Sequence, residues 1–317
     1  IPRWGALFVS IDPLTATRGG RTRAVGALVF ARRRANWLYV PALAVFALFT
    51  VYPLVNGFIL SLTNWNGYSP GRSFIGLDNY VRMLGDPIVG TALGNTFIYG
   101  IGSTVLQQIM GLALALALDR AIRGRSIARA IIYLPVLVSP VVMGTMYYLL
   151  FSYRYGGLND IVVALGGERV AWLSDAGTAI TIIVIVNSLQ FVGISMVIYL
   201  AGLQSIPTVY YEASRVDGAS AWQQFVGITV PLLQPAFATS IVLNLIGGLK
   251  LFDVIRVMTA GGPGYSTESM STLISRFYFD NQSAGYASAV GIVLFLIIAV
   301  FTLGLNTLFN RRRLELS

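Results

Sequence analysis

Residues 203–235 read LQSIPTVYYEASRVDGASAWQQFVGITVPLLQP. This polar stretch lies between two runs, 178–201 and 235–249, that carry no charged residue. Within it, Ser220 followed three residues later by Gln223 makes a capping box, so a helix starts there. Pro207 suits the first turn of an earlier helix. Gly218 lies between the two, where a sharp turn calls for a positive φ. The spacing predicts a helix–turn–helix joining two long apolar segments.

Those segments have the length of membrane spans. Crossing a hydrocarbon core of about 30 Å takes about 20 apolar residues. Six segments qualify: 37–62, 91–118, 131–151, 178–201, 235–257 and 284–309. None alternates with the short period of a barrel strand. The expected fold is all-α, a polytopic membrane protein with six transmembrane helices. Composition agrees: of 317 residues 56% are hydrophobic and only 11% charged, against about 25% charged in soluble domains. The chain has no Cys and no His. That removes disulfides, thiolate nucleophiles, imidazole bases and the usual zinc or haem ligands. No metal site and no cofactor is expected, and hydrolytic or redox chemistry is disfavoured. The apolar run at 6–11 is too short for a signal peptide and is followed by Asp12 and Pro13.

The net charge of +9 comes from 22 basic residues, of which only Lys250 is not arginine. Their placement points to a bilayer rather than to nucleic acid. The N-terminal arm holds Arg3, Arg18, Arg21, Arg23, Arg32, Arg33 and Arg34; the loop after the second segment holds Arg120, Arg123, Arg125 and Arg129; the quoted stretch holds Arg215, and the tail Arg311, Arg312 and Arg313. The opposite loops hold only Arg72, Arg82, Arg154, Arg169 and Arg276. By the positive-inside rule both termini and the 203–234 loop are cytoplasmic. The chain thus divides into a basic cytoplasmic arm, 1–35, and a transmembrane domain, 36–317. Apolar Val25, Leu28, Val29 and Phe30 among the arginines make the arm either an interfacial helix or a partly ordered tail.

The loop resembles the EAA loop of bacterial ABC importer permeases. That family's pattern is Glu-Ala-Ala, then Gly six residues after the Glu, and Ile and Pro sixteen and nineteen after it. Here Glu212, Ala213, Ser214, Gly218, Ile228 and Pro231 stand at those spacings. Ser214 replaces the second Ala, and Val230 stands where Leu is usual. Further pieces are similar to the carbohydrate importers of the maltose type: FIGLDNY (74–80), YLP (133–135), GGLND (156–160), AWL (171–173), AGLQSIP (201–207), FD (252–253), GGP (261–263) and GYASA (285–289). The match is to the first permease subunit, without the large outer domain and added N-terminal spans of the enteric version. The resemblance implies a type I importer fold in the bacterial inner membrane. It implies a second homologous permease, two ATPase subunits and an extracytoplasmic solute-binding protein as partners, and a sugar as substrate. The coupling residues it implies are Glu212, Ala213, Ser214, Asp217, Gly218, Ala219 and Ser220, whose helix docks on an ATPase. The chain has no G-x-x-x-x-G-K-[ST] phosphate loop, so ATP hydrolysis falls to other subunits.

Polar residues deep in the spans are the candidates for a substrate path. At about 1.5 Å per residue, Asn187 lies roughly 14 Å and Gln190 roughly 18 Å along the fourth segment, and Asn244, Lys250 and Asp253 roughly 14, 22 and 27 Å along the fifth. A charge at mid-bilayer costs about 2.5–3.5 kcal/mol on insertion scales, so such groups face a cavity or another helix. Asn187 and Gln190 can bond neighbouring helices or a sugar, and Lys250 and Asp253 can form an ion pair or line a site. In maltose-type permeases sugar contacts come from the spans flanking the EAA loop. The resemblance places Asn187, Gln190, Phe191, Gly248 and Lys250 along the path, and depth in the span adds Asn244 and Asp253. Gly100, Gly102, Gly111, Gly193, Gly247 and Gly248 suit close helix packing, and Pro140 kinks the third span. Other readings are an importer for a glycerol-phosphate derivative or another polar solute, a lone secondary transporter, and a membrane-embedded transferase. No internal repeat supports the second and no D-x-D motif the third.

Overall fold

In hydrocarbon a backbone satisfies its own polar groups only as a helix or a closed barrel. The computed structural model describes residues 39–120 and 123–310. Among these every regular element is helical, and β pairing is limited to an isolated bridge between Thr63 and Phe74. In chain order the helices are α1 (Tyr39–Ser61), α2 (Asp78–Gly85), α3 (Pro87–Asp119), α4 (Arg125–Leu137), α5 (Pro140–Leu150), α6 (Gly157–Ala164), α7 (Ala176–Gln204), α8 (Thr208–Val216), α9 (Ala221–Leu232), α10 (Gln234–Leu249), α11 (Asp253–Met258), α12 (Met270–Ser275) and α13 (Ala284–Asn310). The arm 1–35 and the three C-terminal arginines lie outside the described residues. The described residues fall into two units, divided between Asn56 and Gly57 inside α1.

Helices α1, α3, α7 and α13 are each long and apolar enough to cross a membrane alone. Two bent combinations make up the expected six. Helices α4 and α5 meet at 97°, and α9 meets the run Gln234–Met258 at 64°. The segment expected to be continuous at 131–151 is therefore broken; the 64° bend lies at Leu233, ahead of the segment 235–257, which has a break of its own. The first break follows from Pro140, which opens α5 and pushes the residue before it out of the helical region: Ser139 has ψ 134° and Val138 ψ 137°. In the second, Lys250 and Phe252 leave helical geometry between α10 and α11.

Three apolar clusters follow one another along α3. Val89 and Ala92 pack with Met270, Leu273, Tyr286 and Val290. Tyr99 packs with Ile183 and Val186 of α7 and Val254 and Ile255 of α11. Ala115 and Leu118 pack with Met196, Tyr199, Leu203 and Leu233. Small residues permit the approach. A Cβ on Gly111 would sit 2.4 Å from the Cβ of Ser195, and one on Gly248 would sit 2.8 Å from the Cα of Gly100. A Cβ on Gly193 would lie 3.0 Å from Ile132 O in the backbone of α4, whereas one on Gly247 would meet nothing within 4 Å, so Gly247 does not serve packing.

Gly111→Val is accordingly expected to destabilise the purified chain by about 1–3 kcal/mol or more, read as a lower melting temperature in detergent. Gly94→Ala, where a Cβ meets nothing within 4 Å, should leave it unchanged or slightly higher. Equal melting of parent and Gly111→Val would show that this contact does not set the α3–α7 spacing.

Candidate functional site

The hairpin between α7 and α10 is built by local rules. Helix α8 ends with Gly218 N–H donating to Arg215 O at 3.1 Å and Ala219 N–H to Ser214 O at 2.9 Å, the paired bonds of a Schellman cap. Gly218 has φ 78°, and a Cβ there would meet nothing within 4 Å. The glycine serves the backbone, not the space. Ser220 then caps α9: its Oγ accepts from Gln223 N–H at 3.4 Å, while Gln223 Oε1 accepts from Ser220 N–H at 2.7 Å. Tyr211 and Thr229 hydroxyls share a 2.9 Å hydrogen bond that ties α8 to α9. Of the coupling candidates, Glu212, Ala213, Asp217, Gly218 and Ser220 are exposed and Ser214 and Ala219 half-buried. Beside them Val216 is 88% and Trp222 71% exposed, an apolar pair at the tip that polar-residue reasoning passes over.

The same two flanking helices enclose a cavity of about 260 Å³. Helix α7 contributes Asn187, Phe191 and Ile194; α10 contributes Leu243, Asn244, Gly247 and Gly248; the break after α10 contributes Lys250, Leu251 and Phe252, and α11 contributes Asp253 and Val254. Gln107 of α3 and Pro140 at the other break complete it. Six of the seven path candidates therefore meet in one place.

Their states differ. Asn244 is engaged: its Nδ2 donates to Ser195 Oγ at 2.6 Å, and Ser240 Oγ donates to the same oxygen at 3.1 Å. The Asn187 carboxamide has no protein partner among the described residues. Lys250 and Asp253 do not pair with one another: the ion pairs among the described residues are Arg169–Asp160, Arg256–Asp280 and Arg276–Glu268. The ion-pair alternative for Lys250 and Asp253 is thereby removed. Gln190 is fully buried and absent from the cavity wall. Its Nε2 donates to Val138 O at 3.2 Å, the carbonyl released where α4 ends. Gln107, not anticipated, donates from Nε2 to Asn187 O at 3.3 Å and keeps its Oε1 without a partner. The adjacent amides Gln107 and Gln108, interrupting the apolar run of α3, were its signal.

A fastened loop closes the chain beyond α11. Glu268 is completely buried and pairs with Arg276 at 2.6 Å, while Thr272 donates to its second oxygen. Asn95 Nδ2 holds the carbonyls of Ser266 and Glu268 at 2.7 and 2.9 Å. Ser269 Oγ donates to Leu251 O at 2.8 Å, so the loop is tied to the cavity wall.

Broken helices surround a mostly apolar cavity that carries the amides of Asn187 and Asn244 and the charges of Lys250 and Asp253, and a capped hairpin joins the two helices that form most of its wall, an arrangement that fits a membrane transport subunit. The chain belongs to the family described as binding-protein-dependent transport system inner membrane component, whose pattern matches residues 109–315. It is thus a multi-pass inner-membrane component of an ABC transporter. It is 37% identical over 268 residues to the probable ABC transporter permease protein YurN of Bacillus subtilis, covering 83% of this chain and 91% of that one. It is 35% identical over 266 residues to the trehalose/maltose transport system permease protein MalF of Thermococcus litoralis, covering 84% and 90%. Its fold matches the crystal structure of a bacterial ABC transporter involved in import of the acidic polysaccharide alginate, with a TM-score of 0.77, 26% identity, and coverage of 90% of this chain and 99% of that one.

The Ser195 hydroxyl accepts two hydrogen bonds between α7 and α10. Ser195→Ala should lower stability by about 0.6–1.7 kcal/mol, the range of intramembrane side-chain bonds, measured as a fall in melting temperature. No fall would mean that Asn244 finds an equal partner.

Proposed function

We propose that the chain is one of two permease subunits of an ABC importer that carries a sugar or oligosaccharide handed over by an extracytoplasmic binding protein. Two separate ATPase subunits hydrolyse the ATP, and this chain itself catalyses nothing. The observation that carries the reading is the cavity formed by Asn187, Phe191, Asn244 and Gly248 on the two helices joined by the capped hairpin. Amides match sugar hydroxyls, and an aromatic face suits a pyranose ring. Relatives named for trehalose/maltose, lactose and diacetylchitobiose support the substrate class. The arginine distribution puts the arm 1–35, the tail and the hairpin in the cytoplasm. There Glu212 to Ser220 dock α8 on an ATPase, with Val216 and Trp222 adding apolar contact.

Uptake by the reconstituted complex tests the path. Asn187→Leu is expected to lower uptake about tenfold or more without lowering the melting temperature, because its carboxamide bonds to no protein group and a lost polar contact to substrate costs about 1.4 kcal/mol or more. Gln190→Leu is the contrast: it should act on stability through Val138 O. Unchanged uptake in Asn187→Leu would remove that residue from the path. The unpaired Lys250 ammonium favours a second reading, an anionic solute such as a glycerol-phosphate derivative. Lys250→Gln then abolishes uptake of the anionic solute and leaves a neutral sugar's intact.

Gly218→Val tests coupling. A β-branched residue at φ 78° costs upwards of about 1 kcal/mol locally, which should displace the hairpin while the spans still insert. The expected complex either moves no substrate or loses its ATPases on purification. Normal uptake in this variant would refute the role of the hairpin.

A further inference from the structure

A second cavity, of about 420 Å³, lies between the end of α3 and the hairpin helices. Its floor holds Leu116, Leu203 and Phe225, buried or half-buried, and its rim holds the exposed Asp119, Arg120 and Arg215. Neither guanidinium forms an ion pair among the described residues, so two cations face a single carboxylate. Asp119 is the last residue of α3, and Leu203 precedes the last residue of α7. The cavity therefore opens at the level where the apolar helices stop.

We propose that this cavity binds the headgroup of an anionic phospholipid, with its phosphate between Arg120 and Arg215 and its glycerol and first acyl carbons over Leu116, Leu203 and Phe225. Guanidinium forks match phosphate oxygens bidentately. Basic pockets between spans at the cytoplasmic interface collect acidic lipid. The apolar floor decides between the two sources of such an anion: free phosphate leaves it uncovered, whereas a lipid covers floor and rim together. Arg120 belongs to the end of α3 and Arg215 to α8, so a bound lipid bridges a membrane span and the hairpin and restrains their relative motion. The inference rests on the cytoplasmic placement of the hairpin proposed above.

The test counts phospholipid retained by the assembled complex after delipidation, by native mass spectrometry. It compares the parent, Arg120→Gln/Arg215→Gln, and Arg123→Gln/Arg125→Gln as a neighbouring-charge control. The parent is expected to keep phosphatidylglycerol in preference to phosphatidylcholine. Each guanidinium lost costs about fivefold in affinity, roughly thirtyfold for both, and the control should stay within about twofold. Equal retention in the double variant, equal retention of phosphatidylcholine, or displacement of lipid by inorganic phosphate overturns the proposal. So does retention that appears only once the ATPases are removed, since an ATPase then fills the cavity. Placement of the hairpin is read separately: the chain has no cysteine, so Thr208→Cys, exposed at the start of α8 and outside the proposed ATPase contact, reports its side of the membrane by labelling with an impermeant maleimide. Labelling from outside refutes the orientation, whereas labelling from the cytoplasm with no phosphatidylglycerol preference in the parent refutes the lipid site alone.

Discussion

A carbonyl released from a helix inside hydrocarbon must find a donor within the protein, and this constraint sets where the chain can bend. Besides the bend at Leu233, two helical runs break inside the apolar segments, at 138–139 and at 250–252. At the first break Val138 O receives the amide of Gln190; at the second, Leu251 O receives the hydroxyl of Ser269. Irregular backbone is tolerated at membrane depth only where it is buried in protein or lines a cavity. Both breaks border the same cavity, which Pro140 and Leu251 help to line. Site and breaks are therefore one feature: the bends open the space, and residues outside the wall make the bends possible.

Close backbone contact supplies the rest. Gly111 against Ser195 and Gly248 against Gly100 draw α3, α7 and α10 together. With lipid as apolar as the side chains, such contacts gain through dispersion and hydrogen bonding rather than through loss of water. The Ser195, Ser240 and Asn244 cluster sits in the same seam. Gly248 serves twice, once against α3 and once as a bare patch of cavity wall.

What could be read in advance follows from what is local. The cap at Ser220 and Gln223 and the left-handed Gly218 depend on a few adjacent residues, so their spacing is enough. The apolar runs gave the helices for the same reason. Assigning Gln190 to the path assumed that residues three apart share a face. On the helix 187 and 191 are the pair turned to the cavity, and Gln190 is rotated toward the break, a partner that exists only in the bent structure. Gln107 comes from a distant helix, and no spacing along the chain connects it to Asn187. The buried Glu268 and Arg276 pair was hidden because its loop reads as an ordinary polar turn. Its burial depends on Asn95 and Tyr99 of α3 holding the carbonyls around it.

The hairpin and the cavity share their supports, which gives the coupling proposal its mechanics. Ile206 just before α8 and Leu233 at the bend between α9 and α10 are both buried in the cluster that includes Met196, Tyr199 and Leu203 of α7. A push on α8 cannot be absorbed there by loose side chains, because close-packed interiors transmit displacement. It passes to α7 and α10 as bodies, and these carry Asn187 and Phe191 on one side of the cavity and Asn244 and Gly248 on the other. At the far end, α11 leads into the loop fixed by the Glu268 and Arg276 pair and by Ser269 on Leu251. With one end driven and the other pinned, the segment free to change geometry is the break at 250–252, where Lys250 lies. Under the proposed coupling, motion of the hairpin would change the shape of the cavity rather than translate the whole bundle.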